Sequence, residues 1–355
     1  MKAVKMELLN KLWLAPMAEV TDAPFRIISK KFGAGLTFTQ MVSAKGVVEN
    51  EFETLQYLAF SKNEKPIGVQ ILANDPLTLA QSVTEVKKYS PDVIDLNCGC
   101  PVNKVTRYQM GATILDNPKL LGELIKSMKD TSGDTLISVK MRLGKNKSNI
   151  NILENAQIAQ SNGADFVIVH TRTREDRYYI DAEWEWLRKI KENIDIPVIG
   201  NGSIFSAKDA VNMIEQTGCD SVMVARGALG NPFLFNRFNK MMENGIDPGE
   251  PSIEEVKDAA LEHINLLVRE YGEIRAIHRA KKFIIWYFRF FNGITSLIDS
   301  LIKINDIILL KDFIEEHSNK IKKDVYKPED LNEIDNLFKR RVLFWLEENK
   351  VIVAG

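Results

Sequence analysis

The chain has 355 residues, of which 45% are hydrophobic and 27% charged, with a formal net charge of −1. That is enough apolar material for one large domain and a smaller companion, and too little net charge for binding a polyanion except through a local patch. Three cysteines make no disulfide framework, so a cytoplasmic protein is expected.

Nothing at the start of the chain suggests export. Met1–Asn10 is mixed and charged, unlike a signal peptide. The aromatic run Phe283–Phe291 is short and holds Arg289, so no membrane-spanning helix is expected.

Short β-rich runs recur through the first two thirds of the chain. They are Leu12–Met17, Leu36–Ala44, Pro66–Ala73, Val93–Cys98, Thr135–Leu143, Asp165–Thr171, Pro197–Gly202 and Asp220–Arg226. Their starts lie about 30 residues apart, the size of one βα unit. Most are apolar at consecutive positions, as in Val167–Val169 and Val222–Val224, which is how strands covered on both faces read. Helical patterns lie between them. Asp22–Phe32 opens Asp-Ala-Pro and stops at Gly33, and Asp75–Tyr89 carries Leu77, Ala80, Val83 and Val86 at helical spacing. Asp181–Asn193 and Ser206–Thr217 repeat the logic, the latter closed by Gly218. Eight strands alternating with helices predict an α/β fold, a (β/α)8 TIM barrel over residues 1–242.

The turn-rich stretch Glu243–Pro251 marks a boundary. Beyond it, residues 251–355 predict a smaller all-helical domain. Ser252–Tyr271 has Ser252 and Glu255 in capping-box spacing. A second helix is expected over Ile274–Phe291, and a last one with the apolar stripe Leu331, Ile334, Leu337, Phe338, Val342 and Trp345.

A barrel presents its reacting groups at the C-terminal ends of its strands. Here those ends carry Pro16-Met17-Ala18, Gln70, Asn97 with Cys100, Lys140 with Arg142, His170, Asn201-Gly202-Ser203 and Arg226-Gly227. The glycine turns after the last two strands, beside Arg226, suit a phosphate-bearing ligand. Lys140, inside an otherwise apolar strand, reads as a functional cation rather than a snorkelling one. Gln70 is either a buried amide with protein partners or a group that reads a ligand's edge. Cys100 stands on the turn that ends its strand. The Cys98-x-Cys100 pair has no third ligand at metal spacing, so no metal is expected.

Taken together, these motifs resemble those of the tRNA-dihydrouridine synthases. The resemblance rests on Ala15-Pro16-Met17 with Val20-Thr21-Asp22 and Arg26, Gln70, Asn97-x-Gly99-Cys100-Pro101 and Val139-Lys140-x-Arg142. It continues through His170-x-Arg172-Thr173-Arg174, Gly200-Asn201-Gly202-Ser203 and Ala225-Arg226-Gly227, so it spans residues 12–235. In the second domain it is carried by Arg275-x-x-x-Arg279 and Trp286-Tyr287, and it fades after Phe291. It implies an FMN enzyme that reduces the C5–C6 bond of a uridine in tRNA, with NADPH as reductant and no obligate protein partner.

The resemblance also implies roles for individual residues. Pro16, Met17 and Ala18 would pack on the isoalloxazine, Gln70 would bond its polar edge, and Lys140 and His170 would contact the ring. Asn201, Gly202, Ser203, Ala225, Arg226 and Gly227 would hold the phosphate. Cys100 would give a proton to C5 of the uracil. Asn97 would position the substrate, and Arg142, Arg172 and Arg174 would contact uracil or phosphate. The chain departs from the family pattern at Glu19 and Thr171, where glycine is common, and at Cys98.

Backbone phosphates of an RNA need basic partners. Arg275, Arg279 and Lys282 share one face of the second domain's helix, and Arg174, Arg177, Tyr178 and Tyr179 offer a rim on the barrel. Trp286, Tyr287 and Phe288 read mainly as helix core. Two other functions fit parts of the pattern. One is a small-molecule pyrimidine flavin reductase of the dihydroorotate dehydrogenase type, which would share the FMN residues but need no basic helix. The other is a non-catalytic RNA-binding barrel, against which the intact Lys140 and Cys100 argue.

Overall fold

The computed structural model describes residues 11–289, 291 and 300–320. Met1–Asn10 and the last expected helix, with Leu331, Ile334, Leu337, Phe338, Val342 and Trp345, lie outside the described residues.

Eight strands form the barrel wall: β1 Trp13–Leu14, β2 Thr37–Phe38, β3 Ile67–Leu72, β4 Val93–Cys98, β5 Leu136–Arg142, β6 Phe166–His170, β7 Val198–Asn201 and β8 Ser221–Val224. In hydrogen-bonded order they run β1-β8-β7-β6-β5-β4-β3-β2, and every pairing is parallel. Leu14 N–H donates to Leu36 C=O at 2.8 Å and Gly35 N–H to Leu12 C=O at 2.9 Å. These bonds tie β1 to the segment entering β2, so the sheet returns on itself as a nearly closed barrel.

The expected strands are present, most of them trimmed at their ends. The run Leu36–Ala44 is broken: β2 ends at Phe38, a separate Val42–Ser43 strand pairs with β3, and Ser43 caps a helix at Ala44–Val48 by accepting from Gly46 N–H. Side-chain caps start other helices as the sequence implied. Asp22 accepts from Phe25 N–H, Asp75 from Thr78 N–H, and Ser206 forms a capping box with Asp209.

The helix Pro76–Lys87 corrects one detail of phase. Leu77 is 69% exposed, and Leu79, Val83 and Val86 form the buried stripe. Between Asp181 and Asn193 only Glu185–Lys191 is helical. An antiparallel hairpin, Gly144–Asn146 with Asn149–Ile150, follows β5 and was not signalled by the sequence.

The interior of the barrel takes every second residue. Trp13, Ala15, Leu36, Phe38, Val93, Phe166, Ile168, Ile199 and Met223 form one buried cluster, with Leu136 and Ala225 against it. Two and four positions beyond these along the strands, the same phase carries Asp95 and Asn97, Ser138 and Lys140, His170, and Asn201. The intervening residues are buried too, for example Ile94, Leu96, Ile137, Val139, Val167 and Val169. Helices cover that outer face, which is why the strands read as continuous apolar runs. Gly68 makes room inside, because a Cβ there would lie 2.3 Å from the Phe38 ring.

The chain divides into two compact units. One ends at Gly227 and takes back Phe235–Asp247, and the other comprises Ala228–Leu234 and resumes at Pro248. In the second unit Ile253–Tyr271 begins at the Ser252–Glu255 capping box, and Glu273–Phe288 and Ile307–Lys320 follow. Trp286, Tyr287 and Phe288 are buried, at 4%, 3% and 1% exposure. No described helix is long and apolar enough to cross a membrane.

Gly68→Ala should lower unfolding stability by about 1–3 kcal/mol through overpacking against Phe38. At Gly218 (φ +69), nothing lies within 4 Å of an added Cβ. Gly218→Ala should therefore show only the left-handed backbone cost of about 1–2 kcal/mol. Urea denaturation of both variants checks this; the steric account of Gly68 fails if Gly68→Ala unfolds at the wild-type midpoint.

Candidate active site

A polar layer crosses three strands above the apolar barrel interior. Gln70, Asp95 and Ser138 are register partners on β3, β4 and β5. Asp95 is fully buried; its two carboxylate oxygens accept from Gln70 Nε2 at 2.7 Å and Ser138 Oγ at 2.6 Å. Gln70 Oε1 in turn accepts from Asn97 Nδ2 at 2.7 Å. Burial pushes the Asp95 carboxyl up, against the two hydrogen bonds and the positive charge of Lys140. The amide of Gln70 is thus engaged by protein at both ends. Asp95 and Ser138 carried no role in the sequence reading.

Asn97 spends its remaining oxygen on the turn that follows β4. Its Oδ1 accepts from Gly99 N–H at 3.1 Å and Cys100 N–H at 2.9 Å. On the other side, Ala112 N–H donates to the Cys100 carbonyl at 3.0 Å. Gly111 (φ +63) packs so closely that a Cβ there would sit 2.6 Å from that carbonyl oxygen. The half-buried thiol is therefore fixed from three directions. Burial raises its pKa, against a hydrogen bond from the Val102 backbone and the charges of Arg142 and Lys140. Cys100 is a neutral S–H at neutral pH. Cys98, on the same strand, is fully buried and packs in the wall.

Around this thiol stands a group of cations. Lys140 Nζ donates to Asn201 Oδ1 at 3.1 Å, and Asn201 Nδ2 donates to Met223 C=O at 2.7 Å. Burial pulls the Lys140 pKa down, against the charge of Asp95. Arg142 is 2% exposed and bonds Gly99 C=O and Thr173 C=O, which links the cysteine turn to the loop after β6. His170 is held neutral by burial and by the charges of Arg142, Lys140, Arg172 and Arg226.

Arg172 is engaged by protein through all three guanidinium nitrogens. It is among the largest fully buried side chains. Its donors meet Ile180 C=O at 2.6 Å, Tyr178 C=O at 3.3 Å and Ser203 Oγ at 2.9 Å, and one nitrogen lies 3.1 Å from His170 Nε2. Its pKa falls to about 10, first through burial and then through Arg226 and Arg142. Arg174 pairs with Asp116 at 2.7 Å. Arg226 bonds Tyr178 C=O and lies over the rings of Tyr178 and Phe205, at 4.6 and 5.2 Å from their centroids.

The glycine turns also have a packing reason. A Cβ at Gly227 would meet Ile204 C=O at 2.3 Å, so this glycine lets the loops after β7 and β8 touch. The Ser203 hydroxyl accepts from Arg172 and from Ala182 N–H, while Ala225 and Arg226 are half-buried at the end of β8.

After β1, Pro16 and Met17 are half-buried and Ala18 is exposed. Thr21 Oγ1 accepts from Met17 N–H at 3.0 Å. The buried Arg26 bonds Thr21 C=O and pairs with Glu64 at 2.7 Å, and so braces that turn. Glu19, where the family pattern has glycine, sits at φ 60. In the helical unit Arg275 is exposed, Arg279 lies over Tyr271 at 4.3 Å and Lys282 over Phe283 at 5.0 Å. Among the described residues no cluster of three or more His, Cys, Asp or Glu side chains could hold a metal ion.

Known proteins share this architecture. The family model described as dihydrouridine synthase (Dus) matches residues 13–322. The chain is 35% identical over 287 residues to tRNA-dihydrouridine synthase B of Pasteurella multocida, covering 81% of this chain and 86% of that one. It is 33% identical over 309 residues to the probable tRNA-dihydrouridine synthase 1 of Synechocystis sp., covering 86% of each. Among solved structures it resembles histamine dehydrogenase from a Rhizobium species in fold alone. There the TM-score is 0.51 at 15% identity, over 72% of this chain and 49% of the other.

Two measurements test the geometry. Iodoacetamide alkylation of Cys100 should have its pH midpoint above that of an unperturbed thiol, and a midpoint at or below the ordinary value would refute the burial argument. Glu19→Gly should stabilise the protein by about 1–2 kcal/mol by releasing left-handed backbone strain, read as a raised denaturant midpoint.

Proposed function

Because the chain belongs to the dihydrouridine synthase family, we propose that it reduces the C5–C6 double bond of specific uridines in tRNA, using FMN and NADPH. The observation that carries this reading is Cys100: a thiol kept neutral by burial, fixed by Asn97, Gly111 and Ala112, at the cationic mouth of a parallel barrel. The cationic mouth suits an anionic cofactor. Four cations, Lys140, Arg142, Arg172 and Arg226, suppress protonation of His170, so the site favours added negative charge.

Bound FMN supplies the hydride that C6 of the uracil takes. Cys100 supplies the proton to C5. An ordinary thiol with a pKa near about 8.5 is mostly protonated at neutral pH, as a general acid must be, and burial strengthens that here. As the proton leaves, the charges of Arg142 and Lys140 offset the negative charge left on sulfur, and solvent then reprotonates it. Lys140, anchored by Asn201, also stands as a fixed cation for negative charge on the cofactor ring. Pro16 and Met17 would pack beside the ring, and the loops after β7 and β8, with Asn201, Gly202, Ser203, Ala225, Arg226 and Gly227, would hold its phosphate. Gln70 acts on the ring edge only through hydrogen-bonding capacity beyond its bonds to Asp95 and Asn97.

For tRNA, a uridine swung out of the fold is read by its edge, and backbone phosphates supply affinity. Asn97 serves the first task by holding the Cys100 turn, and Arg142 through donors beyond its bonds to Gly99 C=O and Thr173 C=O. Arg275, Arg279 and Lys282 suit the second. Arg172 positions the loop that ends at Ile180 rather than binding substrate.

Mass mapping of tRNA from cells lacking the protein should reveal a uridine that no longer carries two added hydrogens. If every dihydrouridine persists in cells without other synthases, the tRNA reading fails. Cys100→Ala should keep bound flavin and NADPH oxidation while uridine reduction falls by about 10²-fold or more; unimpaired turnover of tRNA by that variant would refute the acid role.

A further inference from the structure

We infer that Asp95 is a positioning residue for Cys100, acting through the side chains of Gln70 and Asn97; the catalytic consequence rests on the function proposed above. Asp95 is buried, and an ionised carboxylate is a hydrogen-bond acceptor only. Gln70 must therefore turn its NH2 toward Asp95, which leaves its carbonyl facing Asn97. Asn97 must then turn its own NH2 toward Gln70. Its oxygen is left for the amides of Gly99 and Cys100. One carboxylate on β4 thus fixes the sense of two amides, and the second amide closes the turn that holds the thiol.

The carboxylate fixes that direction from one end, and the donor-only amides of Gly99 and Cys100 fix it from the other. Asparagine at position 95 has nearly the same shape, but it can donate or accept on either side, and the Ser138 hydroxyl can take either role. In the reversed state Gln70 would present NH2 to Asn97. Asn97 would then turn its oxygen to Gln70 and its NH2 toward the amides of Gly99 and Cys100, donor against donor. The turn would open and expose the thiol.

The test is alkylation of Cys100 by iodoacetamide in the full chain, followed by mass spectrometry of the Cys100 peptide. Cys98 and Cys219 are buried and do not confuse the reading. Asp95→Asn and Gln70→Leu should each speed alkylation several-fold and move its pH midpoint down, toward the ordinary thiol value. Gln70→Leu keeps the Asp95 charge and breaks only the relay, so it also serves if Asp95→Asn does not fold. Asn97→Ala should have the largest effect, and adding Asp95→Asn to it should change nothing further, because residues acting in series are non-additive. Additive effects, or a wild-type rate in Gln70→Leu, would overturn the inference.

In steady state, Asp95→Asn should lower kcat with KM for tRNA unchanged. Wild-type protein that does not reduce tRNA would sink the proposed function alone. The alkylation cycle judges the relay whatever the substrate.

Discussion

A carboxylate sealed inside a parallel barrel has to be compensated on the spot. Removing an ion from water costs several kcal/mol even after relaxation, and Asp95 has no exposure at all. Two short hydrogen bonds and the charge of Lys140 offset that cost. Lys140 is bound by the same condition from the other side, since burial lowers its pKa and Asp95 raises it. Each charge favours the other, beside the hydrogen bonds that hold Asp95. The strand register makes this possible: Asp95 lies beside Gln70 and Ser138, and the next inward position on β4, Asn97, lies beside Lys140.

From that layer upward the site is a sequence of obligations. Asn97 satisfies Gln70 and then the cysteine turn. Arg142 ties the same turn, at Gly99 C=O, to the loop after β6 at Thr173 C=O. Arg172 and Arg226 both donate to Tyr178 C=O, so the loop after β6 and the turn after β8 are joined through one carbonyl. The cations also keep His170 neutral, which makes its ring a hydrogen-bonding and packing group rather than a fifth charge at the mouth.

Much of this was legible in the sequence for a physical reason. Strands buried on both faces are apolar throughout, so a single polar residue inside one is conspicuous, and Gln70, Asn97, Lys140, His170 and Asn201 were found that way. Asp95 meets the same criterion, but it does not stand at a strand tip. Its meaning depends on which residues of β3 and β5 stand beside it, and register is not written in one strand. Pro76–Lys87 offers two overlapping apolar stripes, one through Leu77 and one through Leu79, and packing buries the second.

The arginines show where a motif reading and a geometric one part. His170-x-Arg172-Thr173-Arg174 marks two cations and a ring as neighbours, but not which of them face outward. Arg172 is buried against the carbonyls of Tyr178 and Ile180, and Arg174 pairs with Asp116. A guanidinium presents a planar fork of donors, which suits backbone carbonyls in a loop as well as it suits phosphate. What distinguishes the two uses is whether the loop can fold back far enough to supply those carbonyls. Here Tyr178 and Ile180 do so for Arg172, while Arg174 meets the Asp116 carboxylate instead.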